Sequence, residues 1–107
     1  MPLPRANPSA GDPVELDPTH YTVEFENDRI RVLRVTYGPH EKSPMHRHPA
    51  TLSISLTGRD QKITLPGGKT RNVMGSPGNI VWYEAHEHSV ENLSSKNYEG
   101  LAIELKE

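Results

Sequence analysis

Four of the six histidines stand in two matching triplets, His46-Arg47-His48 and His86-Glu87-His88. On a β-strand, the two imidazoles of each triplet point to the same face, because strand side chains alternate with a period of two. Neutral imidazole is a common ligand for zinc, iron, nickel, copper and manganese. The spacing therefore predicts a metal site, provided that the fold places the two triplets on facing strands.

Short alternating segments separated by turn residues surround both triplets. Strands are predicted over residues 21–26, 29–37, 51–56, 61–65, 69–74, 80–83, 86–92 and 98–105. Pro66-Gly67-Gly68 predicts a hairpin turn between two of them. No segment shows the 3.6-residue periodicity of a long amphipathic helix. Regularly spaced short strands with Gly and Pro turns predict an all-β fold, a small barrel or sandwich.

The N-terminal residues have a different composition from the rest. Residues 1–19 hold five of the ten prolines, with small and polar residues between them. Such a segment buries too little apolar surface to order itself, so we predict a Pro-rich tail over 1–19 and one domain over 20–107. The alternative is an arm that lies over the barrel or over a neighbouring subunit, and the mobile tail is the favoured reading.

Composition excludes several classes of protein. The net charge is −2 and the basic residues are scattered, which argues against a nucleic-acid partner. No apolar run approaches the roughly 18 residues that a membrane span requires. The absence of cysteine excludes disulfides, thiolate metal sites and a cysteine nucleophile. The N-terminus has no hydrophobic segment typical of a secretory signal, so we expect a cytoplasmic protein.

The two histidine segments carry a resemblance to a known family. His46-x-His48 and Gly58 match the first cupin motif, G-x5-H-x-H-x(3,4)-E-x6-G, and Gly78 with His88-x3-Asn92 matches the second, G-x5-P-x-G-x2-H-x3-N. The segment Gly38–Asn92 thus resembles a cupin, which implies a double-stranded β-helix (jelly-roll) barrel. The chain is similar in particular to small single-domain bacterial cupins of the cupin 2 conserved barrel type, which include the beta-alanine degradation-associated proteins.

The match departs from both motifs. Thr51 or Leu52 stands where the first motif has glutamate, and Glu84-Ala85-His86 replaces Pro-x-Gly in the second. The resemblance therefore implies a divalent metal ion (Fe, Zn, Ni or Mn) held by three histidines, namely His46, His48 and His88. His86 is a candidate fourth ligand, or else it lines the pocket mouth. Without the glutamate, the metal centre keeps more positive charge and favours hydroxide or an anionic substrate.

The segment after the first triplet sets the character of the pocket. Hydroxyl side chains at Thr51, Ser53 and Ser55 alternate with aliphatic residues. Pattern alone predicts that the aliphatic face packs in the core, whereas the resemblance implies that the hydroxyl face lines a polar pocket. The aliphatic face would then need covering, which favours a homodimer. Trp82 and Tyr83 face opposite ways, so that one belongs to the core and the other to the pocket or an interface. The pattern does not decide which, and we take Trp82 as the pocket candidate.

Three functions remain open at this point. The first is a metal-dependent enzyme with dioxygenase-like or isomerase-like chemistry on a small organic acid-like metabolite, with His86 and Tyr37 as candidate acid–base residues. The second is a non-catalytic module that binds a small ligand or a metal. The third is a structural protein whose histidines are incidental. The same barrel hosts many unrelated functions, so the fold does not choose among them.

Overall fold

A computed structural model describes residues 10–106, which form one short helix and nine strands. The helix α1 spans Pro13–Leu16. The strands are β1 (Tyr21–Glu26), β2 (Ile30–Tyr37), β3 (His46–His48), β4 (Thr51–Ser55), β5 (Arg59–Thr64), β6 (Thr70–Gly75), β7 (Ile80–Tyr83), β8 (His86–Asn92) and β9 (Tyr98–Leu105). The structure confirms the all-β prediction, and every predicted strand occurs to within two residues at either end. Within this range, no helix is long and apolar enough to cross a membrane.

The strands form two sheets, and in each sheet strands from the first half of the chain lie next to strands from the second half. The five-stranded sheet has the order β1-β2-β9-β4-β7, and the four-stranded sheet has the order β3-β8-β5-β6. All named strand pairs are antiparallel. The interleaving makes β3 and β8 direct neighbours, with His46 opposite His88 and His48 opposite His86. Topology therefore brings together the two triplets that are 40 residues apart in sequence.

The inner face of the five-stranded sheet is partly polar. On β4, the side chains of Thr51 and Ser55 are 3% and 1% exposed, whereas Leu56 just beyond the strand is 42% exposed. If hydrophobicity alone decided the orientation of β4, Leu56 would be buried, and Thr51 and Ser55 would be exposed. The apolar core is correspondingly small and rich in aromatic residues; it consists of Tyr21, Leu33, Tyr37, Ile63, Val90, Tyr98 and Ala102.

An apolar row crosses the outer face of the five-stranded sheet. Cross-strand pairs run from Phe25 to Val32, from Val32 to Ile103, from Ile103 to Leu52, and from Leu52 to Trp82. Directly paired residues share a face of the sheet, so all five strands contribute to this outer apolar row. The end residues are open to solvent, with Phe25 52% and Trp82 47% exposed.

Residues 10–19 lie against the barrel and form the N-terminal arm. Asp12 caps α1, since its side chain accepts a hydrogen bond from the Val14 amide at 3.1 Å. Gly11 bridges His46 in parallel, and its carbonyl accepts from the Arg47 amide at 2.9 Å. Residues 10–19 therefore lie on the barrel as an arm, because a cap and backbone hydrogen bonds hold them there without a large apolar surface. Residues 1–9 of the predicted tail lie outside the described residues.

Candidate metal centre

Three buried imidazoles converge between β3 and β8. His46, His48 and His88 are 0%, 4% and 8% exposed. One ring nitrogen of each lies within 4.8 Å of the corresponding atoms of the other two. Strand alternation turns both histidines of the first triplet inward, and the direct pairing of His46 with His88 adds the third.

Two of these ring nitrogens lack any hydrogen-bond partner. The Nε2 atoms of His46 and His88 are buried and unpaired among the described residues. Nδ1 of His46 lies 2.9 Å from the carbonyl oxygen of Pro44, which can only accept, so Nδ1 carries the proton and Nε2 holds a lone pair. Leaving a buried polar atom unpaired costs about 1–3 kcal/mol. A cation bound by both lone pairs would remove that cost, and the donor set therefore fits a metal ion.

The electrostatics keep two of the imidazoles neutral. Burial, assisted by the nearby His48, lowers the pKa of His46 to about 3. Burial, together with the neighbouring histidines, lowers the pKa of His88 well below its ordinary value. Neutral imidazole is the form that binds metal, so His46 and His88 can bind it at neutral pH without first releasing a proton.

His86 lies beside the three convergent histidines but is not one of them. It begins β8 opposite His48, and the centroids of the two rings are 5.2 Å apart with an angle of 29° between the ring planes. Its Nδ1 donates to the Glu84 carbonyl at 2.7 Å, and its side chain is half-buried. Mainly through burial, the pKa of His86 is lowered. His86 also lines the adjoining cavity, and its two predicted roles, fourth ligand or pocket residue, stay predictions.

A cavity of about 460 Å3, counted with its open mouth, adjoins the histidines. Thr51 and Ser53 line it, whereas Ser55 does not and is bonded instead to the Tyr98 hydroxyl at 3.1 Å. The assignment of Trp82 to the pocket is wrong. Its ring lies on the outer face and its Nε1 donates to Glu84 at 2.8 Å, while Tyr83 lines the cavity. Adjacent strand residues face opposite ways, and the sequence pattern could not decide between these two.

Tyr37 also lines the cavity, but its surroundings do not suit an acid–base role. Its hydroxyl lies 2.6 Å from the Tyr21 hydroxyl, and its side chain is 1% exposed. Burial raises the pKa of Tyr37, so the phenol stays protonated at neutral pH. Tyr37 is therefore a buried and hydrogen-bonded member of the core, and the acid–base roles of Tyr37 and His86 stay predictions.

No family model and no curated protein matches the sequence. Solved structures do match. A cupin domain from Bordetella pertussis is 25% identical, with a TM-score of 0.75 over 81% of this chain and 92% of that one. A Cupin 2 conserved barrel domain protein from Salinispora arenicola is 21% identical, with a TM-score of 0.62 over 100% of this chain and 87% of that one. An RmlC-like cupin with a double-stranded β-helix fold from Methanocaldococcus jannaschii is 18% identical, with a TM-score of 0.62 over 84% of each chain. The chain has the fold of a small single-domain cupin.

The position of the missing cupin glutamate holds no carboxylate. Thr51 is buried there, and its hydroxyl donates to the Pro49 carbonyl at 2.6 Å. Leu52, the other position considered for this glutamate, belongs to the outer apolar row. In this barrel, the three imidazoles therefore converge without a carboxylate from β4.

A carboxylate from another strand contacts the site indirectly, and sequence reasoning missed it. Glu104 on β9 is 2% exposed, and its Oε2 accepts from His48 Nδ1 at 2.7 Å. Its Oε1 accepts from Arg31 Nε at 2.9 Å, and Arg31 also pairs with Asp12 of the N-terminal arm. A carboxylate on Nδ1 fixes the ring orientation and leaves Nε2 for a metal. The available signal was the placement of Glu104 in phase with Tyr98 and Ala102, on the buried face of β9.

Asn92, which ends the second cupin motif, acts on the backbone and not on the cavity. Its Nδ2 donates to the carbonyls of Tyr37, Gly38 and Lys96 at 3.3, 3.0 and 2.9 Å. These bonds join the loop after β2 to the turn before β9. The motif asparagine therefore holds the loops in place beside the two sheets.

Proposed function

We propose that this cupin binds one divalent metal ion through His46, His48 and His88, and that it acts on or binds a small organic acid-like molecule in the adjoining cavity. One observation carries the proposal, namely the two buried, unpaired Nε2 atoms beside the third imidazole. Ordinary core histidines find hydrogen-bond partners when they are buried, whereas these two Nε2 atoms have none among the described residues, and one ring nitrogen of each of the three histidines lies within 4.8 Å of the others. The chemistry of the donors suits Fe, Zn, Ni or Mn.

The proposed chemistry is dioxygenase-like or isomerase-like. The metal would supply Lewis-acid or redox chemistry. Glu104 would orient His48, and the hydroxyls of Thr51 and Ser53 would face the ligand. His86 lines the cavity and burial lowers its pKa, so it would be the group that accepts a proton there.

Metal binding is tested on protein stripped with chelator and reloaded separately with zinc, iron, nickel and manganese at neutral pH. We expect about one metal per chain in the wild type and a loss of that metal in His46→Ala and His88→Ala. The matched control is His40→Asn, because His40 is exposed in a loop at φ 62°, a conformation that asparagine tolerates. Elemental analysis showing much less than one metal per chain in the wild type, or full retention in His46→Ala, would contradict the proposal.

A non-catalytic binding module is the second candidate. It is favoured by the cavity lining, which among the described residues includes no carboxylate and no titratable base other than histidine at neutral pH. Oxygen consumption by the iron-loaded protein with a panel of amino and keto acids separates the two candidates, with His88→Ala as the control. Tight metal retention without turnover would assign the binding role.

We further propose that the outer apolar row forms a homodimer interface. The row crosses all five strands of one sheet, and Ile80 beside it is 59% exposed. Monomers rarely expose apolar patches larger than a few hundred Å2. A second copy of the chain presents the same row, so a twofold contact would cover both.

The cytoplasm is the compartment that we propose for this cupin. The chain has no cysteine to form a disulfide, and its small apolar core has no covalent support among the described residues. Fractionation of cells that produce a tagged chain would test the location.

A further inference from the structure

A buried arginine lines the same cavity as the histidines. Arg59 begins β5 and is 8% exposed, in phase with the buried side chains of Gln61 and Ile63. The cavity lining includes Arg59 together with His48 and His88. The strand alternation that builds the core therefore also places a permanent positive charge inside the barrel, because a guanidinium does not lose its proton in a protein.

The positive charge of Arg59 has no counter-ion among residues 10–106. Its Nε donates to the neutral amide oxygen of Gln61 at 2.7 Å, and its Nη1 is buried without any partner. Arg31 and Arg34 are different, since each contacts two carboxylates. Arg59 takes part in none of the ion pairs within the described range.

A buried guanidinium without a counter-ion destabilises the folded protein unless a negatively charged group binds it. Burial of an unpaired charge costs several kcal/mol even after the protein relaxes. The neighbouring imidazoles of His48 and His88 cannot offset the charge, because an imidazole side chain is either neutral or positive. No carboxylate lines the cavity within the described part of the chain. The missing negative charge would therefore come from a ligand.

We infer that Arg59 binds the carboxylate group of the cavity ligand, so that this cupin selects small carboxylic acids over uncharged molecules of the same shape. A guanidinium offers a planar fork of N–H donors that matches a carboxylate. Gln61, which is 2% exposed, holds Nε and thereby orients the fork. One guanidinium without a lysine or a second arginine in the lining suits a monoanion better than a phosphate dianion.

This inference rests on the proposed function and extends it, since it names a carboxylate as the group of the ligand that Arg59 binds. The inference can be tested on protein that holds no metal. Acetate and acetamide have the same number of heavy atoms and differ in charge, so they serve as probes. Isothermal titration or NMR shift titration is carried out with each probe on metal-free and on zinc-loaded protein.

The variants are Arg59→Met and Arg59→Lys, with Arg47→Met as the control because Arg47 is exposed on β3. We expect metal-free wild type to prefer acetate over acetamide. Arg59→Met should lower acetate affinity about tenfold or more, as loss of a charge-assisted hydrogen bond implies. Arg59→Lys should keep part of the preference and Arg47→Met all of it. Far-ultraviolet circular dichroism and the melting temperature check that each variant is folded.

The outcomes separate this inference from the metal proposal. Equal binding of acetate and acetamide by metal-free wild type, or unchanged acetate affinity in a folded Arg59→Met, would overturn the inference even if the protein retains metal. Conversely, a chain that retains no metal but binds acetate through Arg59 would refute the metal proposal and support the inference.

Discussion

At the scale of single residues, the site depends on how each imidazole is held. His46 has a backbone carbonyl on Nδ1, whereas His48 has the Glu104 carboxylate there. Both arrangements occupy Nδ1 and leave Nε2 available to a metal, but only the second places a negative charge beside the imidazole. A carboxylate partner makes an imidazole a better metal donor, so the two histidines are unequal.

Glu104→Gln should weaken metal binding by about 10- to 100-fold while leaving all three histidines in place. The amide can still accept from His48 but lacks the charge, and it also leaves Arg31 with one carboxylate fewer. Competition against a chromophoric zinc chelator measures the affinity. Glu99→Gln is the matched control, because Glu99 lies on the same strand and contacts Arg34 at the surface. Equal zinc affinity in Glu104→Gln and wild type would show that the carboxylate does not support the site.

The buried histidines also predict how the metal-free protein responds to pH. The pKa of His46 is about 3 in the folded state, and about 6.5 is usual in an unfolded chain. Between these values the unfolded state binds more protons, so the free energy of unfolding rises with pH and is lost as pH falls below about 6.5. Burial lowers the pKa of His88 as well, and this acts in the same direction.

Urea unfolding of metal-free protein at several pH values between 4.5 and 7.5 measures this dependence. We expect His46→Gln to lose less stability than the wild type over that interval, with His40→Asn behaving like the wild type. A wild-type unfolding free energy that stays flat or increases as pH falls from 6.5 to 5 would contradict the assigned pKa direction.

At the scale of elements, most strands follow from the sequence. β1, β7, β8 and β9 have the predicted bounds, because alternation and turn residues act locally. The helix α1 could not be predicted from periodicity, since its single turn depends on the Asp12 cap and on contact with β3. Local pattern has no information about such tertiary partners.

Only part of the candidate site could be predicted from the sequence, as with the strands and the helix. Three histidines could be placed by motif spacing, whereas Glu104, Arg31 and Arg59 could not. Each of these three appears from sequence as one charged residue in a strand, where a solvated face is the usual location. For Glu104, the sequence offers its phase with Tyr98 and Ala102, but the pairing of β9 with β2 and β4 is needed to show that this face of the strand is the inner one.

The N-terminal arm provides a prediction at this scale. Asp12→Ala should lower the free energy of unfolding by about 1–2 kcal/mol, because it removes both the cap of α1 and a carboxylate on Arg31. Asp12→Asn should recover most of the cap and thus separates capping from the ion pair. Glu15→Ala, in the exposed first turn of α1, is the control. Chemical denaturation that shows Asp12→Ala to be as stable as Glu15→Ala would contradict this role for the arm.

At the scale of the whole molecule, the partition of side chains between the two faces of one sheet predicts the assembly. Polar groups line the inside of this sheet, and the outer apolar row faces solvent in a single chain. A monomer of 12.0 kDa would leave that row uncovered. Association through the row would give the sheet a second apolar layer.

Trp82→Glu should shift the protein from dimer to monomer, because it places a charge within the outer apolar row. Sedimentation equilibrium measures the mass of each form. Met74→Glu is the control, since Met74 is 71% exposed on the other sheet. A wild-type mass of one chain at concentrations of tens of micromolar would refute the dimer.

The contact between Gly11 and β3 has a further consequence, for aggregation. β3 is the terminal strand of the four-stranded sheet, with β8 on its inner side and the arm on its outer side. An uncovered edge strand presents free N–H and C=O groups that can pair with another chain. If the arm is cut away, the strand that carries His46 and His48 becomes an open edge. Light scattering should then show association of a different kind, growing with time and unaffected by Trp82→Glu.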